Sequence, residues 1–136
     1  MTSGRNHSYA ATVIWTGNRG EGTADYRAYS RDYDMRADGK PLIAGSADPA
    51  FRGDGSRHNP EDLLVASLAS CHMLWYLHLC AAAGIRVLAY EDQASGLMRE
   101  EADGRGRFIE ATLRPRVVLA RQQRRPRLAP ARRRAS

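Results

Sequence analysis

The sequence predicts an α+β domain, because segments of strand-like alternation lie on both sides of one long apolar helix. Three observations carry this. Tyr9, Ala11, Val13 and Trp15 alternate with Ala10, Thr12, Ile14 and Thr16. The stretch NPEDLLVASLASCHMLWYLHLC, residues 59–80, is apolar at nearly every position. Beyond it, IRVLAYE and the segments around GLMRE and RFIEATLRPRVVLA read as strands. At 136 residues the chain makes one domain, able to bury about two thirds of the surface its unfolded form exposes.

The first strand is turned by GNRGEG, residues 17–22. From Thr23 to Met35, Tyr26, Tyr29 and Tyr33 recur among charged residues, which predicts a second, half-exposed strand. ADGK at 37–40 turns again, and PLIAG is a short extended piece. SADPAFRGDGSRH, residues 46–58, is too rich in Gly, Asp and Ser for a regular element and reads as an ordered loop. Asn59 then supplies an N-cap, Pro60 the first helical position, and Glu61 and Asp62 favourable charge in the first turn. The helix is expected to run to about Ala83, stop at Gly84, and form the central buried element. EADGRG, residues 101–106, is the hairpin turn between the last strands.

The formal charge of +6 suggests nucleic acid until its location is considered. Residues 121–136, RQQRRPRLAPARRRAS, hold seven arginines and no acid, so the first 120 residues carry fourteen of the 21 basic groups against all fifteen acids. The body, residues 1–120, is nearly neutral, and 121–136 reads as an Arg/Pro-rich, disordered tail. The N-terminus has no apolar stretch of signal-peptide length, and Ser70, His72 and His78 interrupt the longest apolar run. Two cysteines are too few for a disulfide framework, so a reducing, cytoplasmic setting without membrane contact is expected.

Both cysteines lie in the helix. Nine helical positions separate Cys71 from Cys80, about 13 to 14 Å, whereas a disulfide needs Cα atoms within about 7 Å. Cys80, between Leu79 and Ala81, reads as a small packed hydrophobe. His72 and His78, six residues apart, point in different directions and make no metal site by spacing.

The order AFRGD at 50–54, NPEDLL at 59–64, SC at 70–71 and HLCAAAGI at 78–85 resembles the OsmC/Ohr family of organic hydroperoxide reductases, from about Tyr9 to Ala120. The resemblance rests mainly on NPE followed ten residues later by cysteine. It implies a peroxiredoxin-like antioxidant enzyme of the stress response that needs no metal, haem or flavin. Such an enzyme reduces organic hydroperoxides to alcohols through a cysteine sulfenic acid and is regenerated by an external thiol or dithiol. Carried over by motif, Cys71 is the attacking thiol, Glu61 the glutamate of the NPE motif, and Arg52 the activating arginine, with Arg57 in the same loop as the alternative. The resemblance also implies an intertwined homodimer with sites at the subunit interface.

The chemistry requires these residue types. A thiol attacks peroxide as its thiolate, and a free cysteine, with a pKa near 8.5, is only slightly ionised at neutral pH. The helix dipole fades within the first turn, well before Cys71. A guanidinium near the sulfur favours the thiolate, and a carboxylate can hold that guanidinium in place. On one straight helix, Glu61 and Cys71 lie about 15 Å apart, so either the chain around Glu61 bends back or, the favoured reading, the carboxylate comes from a second copy. Leu68, Leu74 and Trp75, the helical neighbours of Cys71, are the expected substrate wall, favouring an organic peroxide over hydrogen peroxide.

The sequence departs from the family in having no cysteine after Cys80 where a resolving thiol is expected, and in giving an arginine-proline stretch instead of a further helix and strand. Weak or single-turnover activity is the expected consequence. Two other readings stand beside the enzyme. One is a non-catalytic dimeric scaffold of the same fold, in which Cys71 is inert. The other, ranked last, is an arginine-tail nucleic-acid binder whose affinity would be sequence-blind and lost with salt.

Overall fold

The computed structural model describes residues 4–121, so the arginine-rich stretch assigned as a tail lies outside the described residues from position 122 onward. Strands β1 (Thr12–Trp15), β2 (Tyr33–Arg36) and β3 (Ile43–Gly45) form an antiparallel sheet in that order. Trp15 pairs with Tyr33 and Tyr33 with Gly45, so one row of side chains crosses the sheet. β1 is shorter than its alternation predicts, and neither of its faces meets a core: Val13 and Ile14, on opposite faces, are both exposed.

The strand expected over Thr23–Met35 is confined to its last residues. Before it, local capture of backbone N–H groups wins: Asn18 Oδ1 accepts from Gly20 N (2.9 Å) and Gly22 N (3.0 Å), and Asp25 Oδ1 from Arg27 N (2.7 Å). Tyr26, Tyr29 and Tyr33 are spaced by three and four, not two, so they never had strand periodicity.

The loop after β3 is ordered, as its composition suggested. Asp48 caps a 3₁₀ turn over Pro49–Phe51 by accepting from Ala50 N at 2.7 Å. Ser46, fully buried, donates from its backbone N to His58 O (2.9 Å), and its Oγ accepts from Asp54 N (3.1 Å). At Gly53 a Cβ would collide with the backbone of Ala47. Gly53→Ala is therefore expected to lower stability by about 1–3 kcal/mol, read as a lower urea midpoint; an unchanged midpoint would show that the loop yields freely.

Helix α1 (Pro60–Ala82) starts where its caps predict, with Asn59 Oδ1 accepting from Asp62 N at 2.8 Å. It closes through Ile85 N donating to Cys80 O at 2.9 Å, with Gly84 at φ 77°. The expected burial is not found within the chain. Among the described residues Cys80, 6% exposed, is the one buried apolar side chain, while Leu74 and Trp75 are each 62% exposed. Of the chain's own strands, those that follow α1 make its main contacts, and there Gly96 lets Val65 and Phe108 close over the backbone. By length and apolar composition α1 also meets the requirement for a membrane span, but it keeps Ser67, Ser70, His72 and His78 exposed along its length.

The remaining strands form one antiparallel ribbon. β4 (Val87–Asp92) pairs with β7 (Pro115–Leu119), and β5 (Ser95–Glu100) with β6 (Gly106–Thr112). Asp92 opposite Pro115 and Ser95 opposite Thr112 belong to the same register, so the two pairs are halves of one hairpin whose turn is residues 101–105. Arg114 bridges the interruption: its backbone N donates to Asp92 Oδ1 (2.7 Å) and its Nη1 to Gln93 O (2.9 Å) and Ser95 Oγ (3.0 Å).

Candidate active site

The sheet, the loop and the helix N-terminus meet around a cavity of about 420 Å³ whose walls include Trp15, Tyr29, Arg31, Tyr33, Phe51 and Glu61. Its composition follows from strand geometry. The chain is extended from Ser30 into β2, so Tyr29, Arg31 and Tyr33 reach the cavity at every second residue. Tyr33 lies across Gly45, where any Cβ would strike its ring. Trp15 donates its indole N–H to Ser30 O at 2.8 Å and meets Tyr29 edge to face at 5.8 Å. Glu61 enters from the first turn of α1, fixed by the Asn59 cap and Pro60.

Arg31 is held in a defined pose. Its Cζ lies 3.9 Å from the Tyr29 ring centroid and 4.5 Å from that of Tyr26, within cation–π range. Its Nη1 donates to Tyr29 O at 2.8 Å, whereas its Nη2 is buried without a hydrogen-bond partner. The cavity presents mostly apolar surface, with the Arg31 and Glu61 side chains both in its wall, so an apolar group with a single polar end suits it best. Burial, and then the negative charge of Glu61, push the Tyr33 hydroxyl above its ordinary range.

The loop arginines are committed differently. Arg52 adopts a left-handed conformation (φ 66°) that closes the 3₁₀ turn, with its Cζ 5.7 Å from the Tyr26 ring and its backbone N donating to Pro49 O. Arg57 pairs with Asp32 (3.6 Å) and Asp54 (3.8 Å), and its Nη1, like Nη2 of Arg31, is buried without a hydrogen-bond partner. Neither is among the residues lining the cavity with Glu61; Arg31 is. The family resemblance points to Arg52 or Arg57, whereas the alternation of Tyr29, Arg31 and Tyr33 is the sequence signal for the arginine that lines this cavity.

Cys71 is exposed and Cys80 buried, both as free thiols. Since α1 is continuous from Pro60 to Ala82, Cys71 and Glu61 of one chain stand about 15 Å apart. Leu68, Leu74 and Trp75 are exposed on α1 around Cys71. His72 Nδ1 lies 3.3 Å from Tyr90 Oη, and His78 stacks on Trp75 at 5.1 Å. The Tyr76 hydroxyl is pushed above its ordinary range, first by the neighbouring Cys80 thiol, and Cys80 itself is 6% exposed. Cys80 is thus tied into packing at the helix end. Across Glu61 a second cavity, about 580 Å³, opens between α1 and the ribbon, sharing Asp48 and Glu61 with the first.

Sheet, loop, long helix and ribbon define a mixed α+β protein with a carboxylate–guanidinium cavity at the helix start. A sequence model described as OsmC-like protein matches residues 53–135, a span that takes in the arginine-rich segment. The chain belongs to the OsmC-like family. Its structure is similar to that of an OsmC-like protein of unknown function from Vibrio cholerae O1 biovar eltor, with a TM-score of 0.77 and 30% identity over 89% of this chain and 80% of that one. Among curated proteins nothing matches the chain. Members of this family are often peroxidases, and the solved relative has no assigned activity.

Proposed function

We propose that the chain is a thiol peroxidase for organic hydroperoxides, acting as a homodimer in which each site joins Glu61 and Arg31 of one copy to Cys71 of the other. The observation that supports this reading most directly is the unbroken helix. It keeps Glu61 about 15 Å from its own Cys71, while Cys71 stands exposed amid Leu68, Leu74 and Trp75. So large an apolar helix face is unusual on a monomer and fits burial against an identical face.

In this reading Arg31, rather than Arg52 or Arg57, favours the thiolate through its charge. Glu61 accepts the hydrogen bond of the peroxide O–H. The thiolate attacks the terminal oxygen: an S–O bond forms, the O–O bond breaks, and the products are a cysteine sulfenic acid and an alcohol. No metal, haem or flavin takes part. No cysteine follows Cys80 in this sequence, so an external thiol or dithiol attacks the sulfenic acid directly. Leu68, Leu74 and Trp75 then supply an oily wall from the second copy, and the reaction belongs to the reducing cytoplasm.

The test is mass spectrometry after stoichiometric cumene hydroperoxide, with a sulfenic-acid trap. One modification per chain, at Cys71, is expected. An untouched Cys71 in the folded protein would leave a non-catalytic scaffold of the same fold, and modification at Cys80 would move the chemistry elsewhere.

A further inference from the structure

Cleavage of a hydroperoxide O–O bond by a thiolate releases an alkoxide, which needs a proton as it leaves. Glu61 as a carboxylate only accepts, and an arginine does not give up a proton in a protein. Three residues that line the aromatic cavity, Tyr29, Tyr33 and Ser46, carry hydroxyls. The Tyr29 ring is covered by the Arg31 guanidinium at 3.9 Å and abutted by Trp15 at 5.8 Å. Ser46 Oγ is engaged by the backbone N of Asp54 at 3.1 Å, and an aliphatic hydroxyl is hardly more acidic than the alcohol being formed. Tyr33 lies across the bare backbone of Gly45 and lines the cavity beside Trp15, two residues along the same face from Arg31.

We propose that Tyr33 is the proton donor to the leaving alkoxide, an inference that rests on the peroxidase reading above. The electron pair of the breaking O–O bond goes to the proximal oxygen, which takes the phenolic proton and leaves as the alcohol. The terminal oxygen stays on sulfur as sulfenic acid, and the Tyr33 phenolate regains its proton from water. Partial burial, and then the charge of Glu61, push the Tyr33 hydroxyl above its ordinary range, so the donor is loaded under ordinary conditions.

The experiment compares two oxidants on the full chain. Cumene hydroperoxide expels an alkoxide that needs a proton, whereas peracetic acid expels acetate, which does not. Tyr33→Phe keeps the ring over Gly45. It is expected to slow Cys71 oxidation by cumene hydroperoxide at least about tenfold, while the peracetic acid rate stays within about twofold of wild type. An equal fall with both oxidants would overturn the proposal and reduce Tyr33 to a packing role. The same selective loss in Tyr29→Phe but not in Tyr33→Phe would transfer the role to Tyr29. A wild-type Cys71 that reacts with neither oxidant would instead remove the peroxidase reading itself.

Discussion

Equal amounts of Cys71→Ser and Glu61→Gln chains, each nearly inactive alone, are expected to recover about a quarter of the wild-type peroxidase rate when unfolded and refolded together. Random pairing makes about half of the dimers mixed. In a mixed dimer, one of the two sites joins the intact Cys71 of one chain to the intact Glu61 of the other, and the second site carries both lesions. Alone, Cys71→Ser lacks the nucleophile and should fall on the order of a thousandfold or more. The prediction depends only on the helix: a continuous Pro60–Ala82 segment cannot bring its own Glu61 to its own Cys71. Mixed dimers confirmed by mass, yet with no recovered activity, would return both groups to one chain and require α1 to bend.

Arg31→Met is expected to slow Cys71 oxidation about a hundredfold at neutral pH, whereas Arg52→Ala should stay within about twofold. Arg31 has an unpaired, buried Nη2 and lines the cavity with Glu61, while Arg52 sits exposed at the end of a 3₁₀ turn. The sign of the pH dependence follows from the role. A cation beside a thiol favours its ionised form, so its loss is felt most where thiols are mostly protonated, and the deficit should narrow as pH rises. A deficit of the same size at neutral and alkaline pH would assign Arg31 to holding Tyr26 and Tyr29 together instead. The opposite ranking, with Arg52→Ala severe and Arg31→Met mild, would return the guanidinium to the loop.

Much of the fold could be read along the chain. Asn59, Pro60, Glu61 and Asp62 marked the helix start, Gly84 its end, and EADGRG the hairpin turn, because caps and turns are satisfied by residues close in sequence. The second strand was misjudged for the same reason in reverse: Asn18 and Asp25 bind backbone N–H groups two to four residues away, and no period-two pattern opposed them. Of the proposed site, Cys71 and Glu61 were singled out by motif spacing. Arg31 and Tyr33 alternate with Tyr29, but what gives that alternation interest is a cavity shared with a residue some thirty positions downstream.

The amino-acid order by itself determined a long helix apolar on every side, the distance along it between a carboxylate and a thiol, and the membership in a family that such motifs announce. Tertiary structure alone decided which guanidinium shares a cavity with Glu61, that Tyr33 lies across Gly45, and that the helix finds little cover among its own strands. Local rules act through bonds to near neighbours and survive in the linear chain. Burial and convergence depend on which distant surfaces meet, and a pattern of apolar residues states that a face must be covered without stating by what.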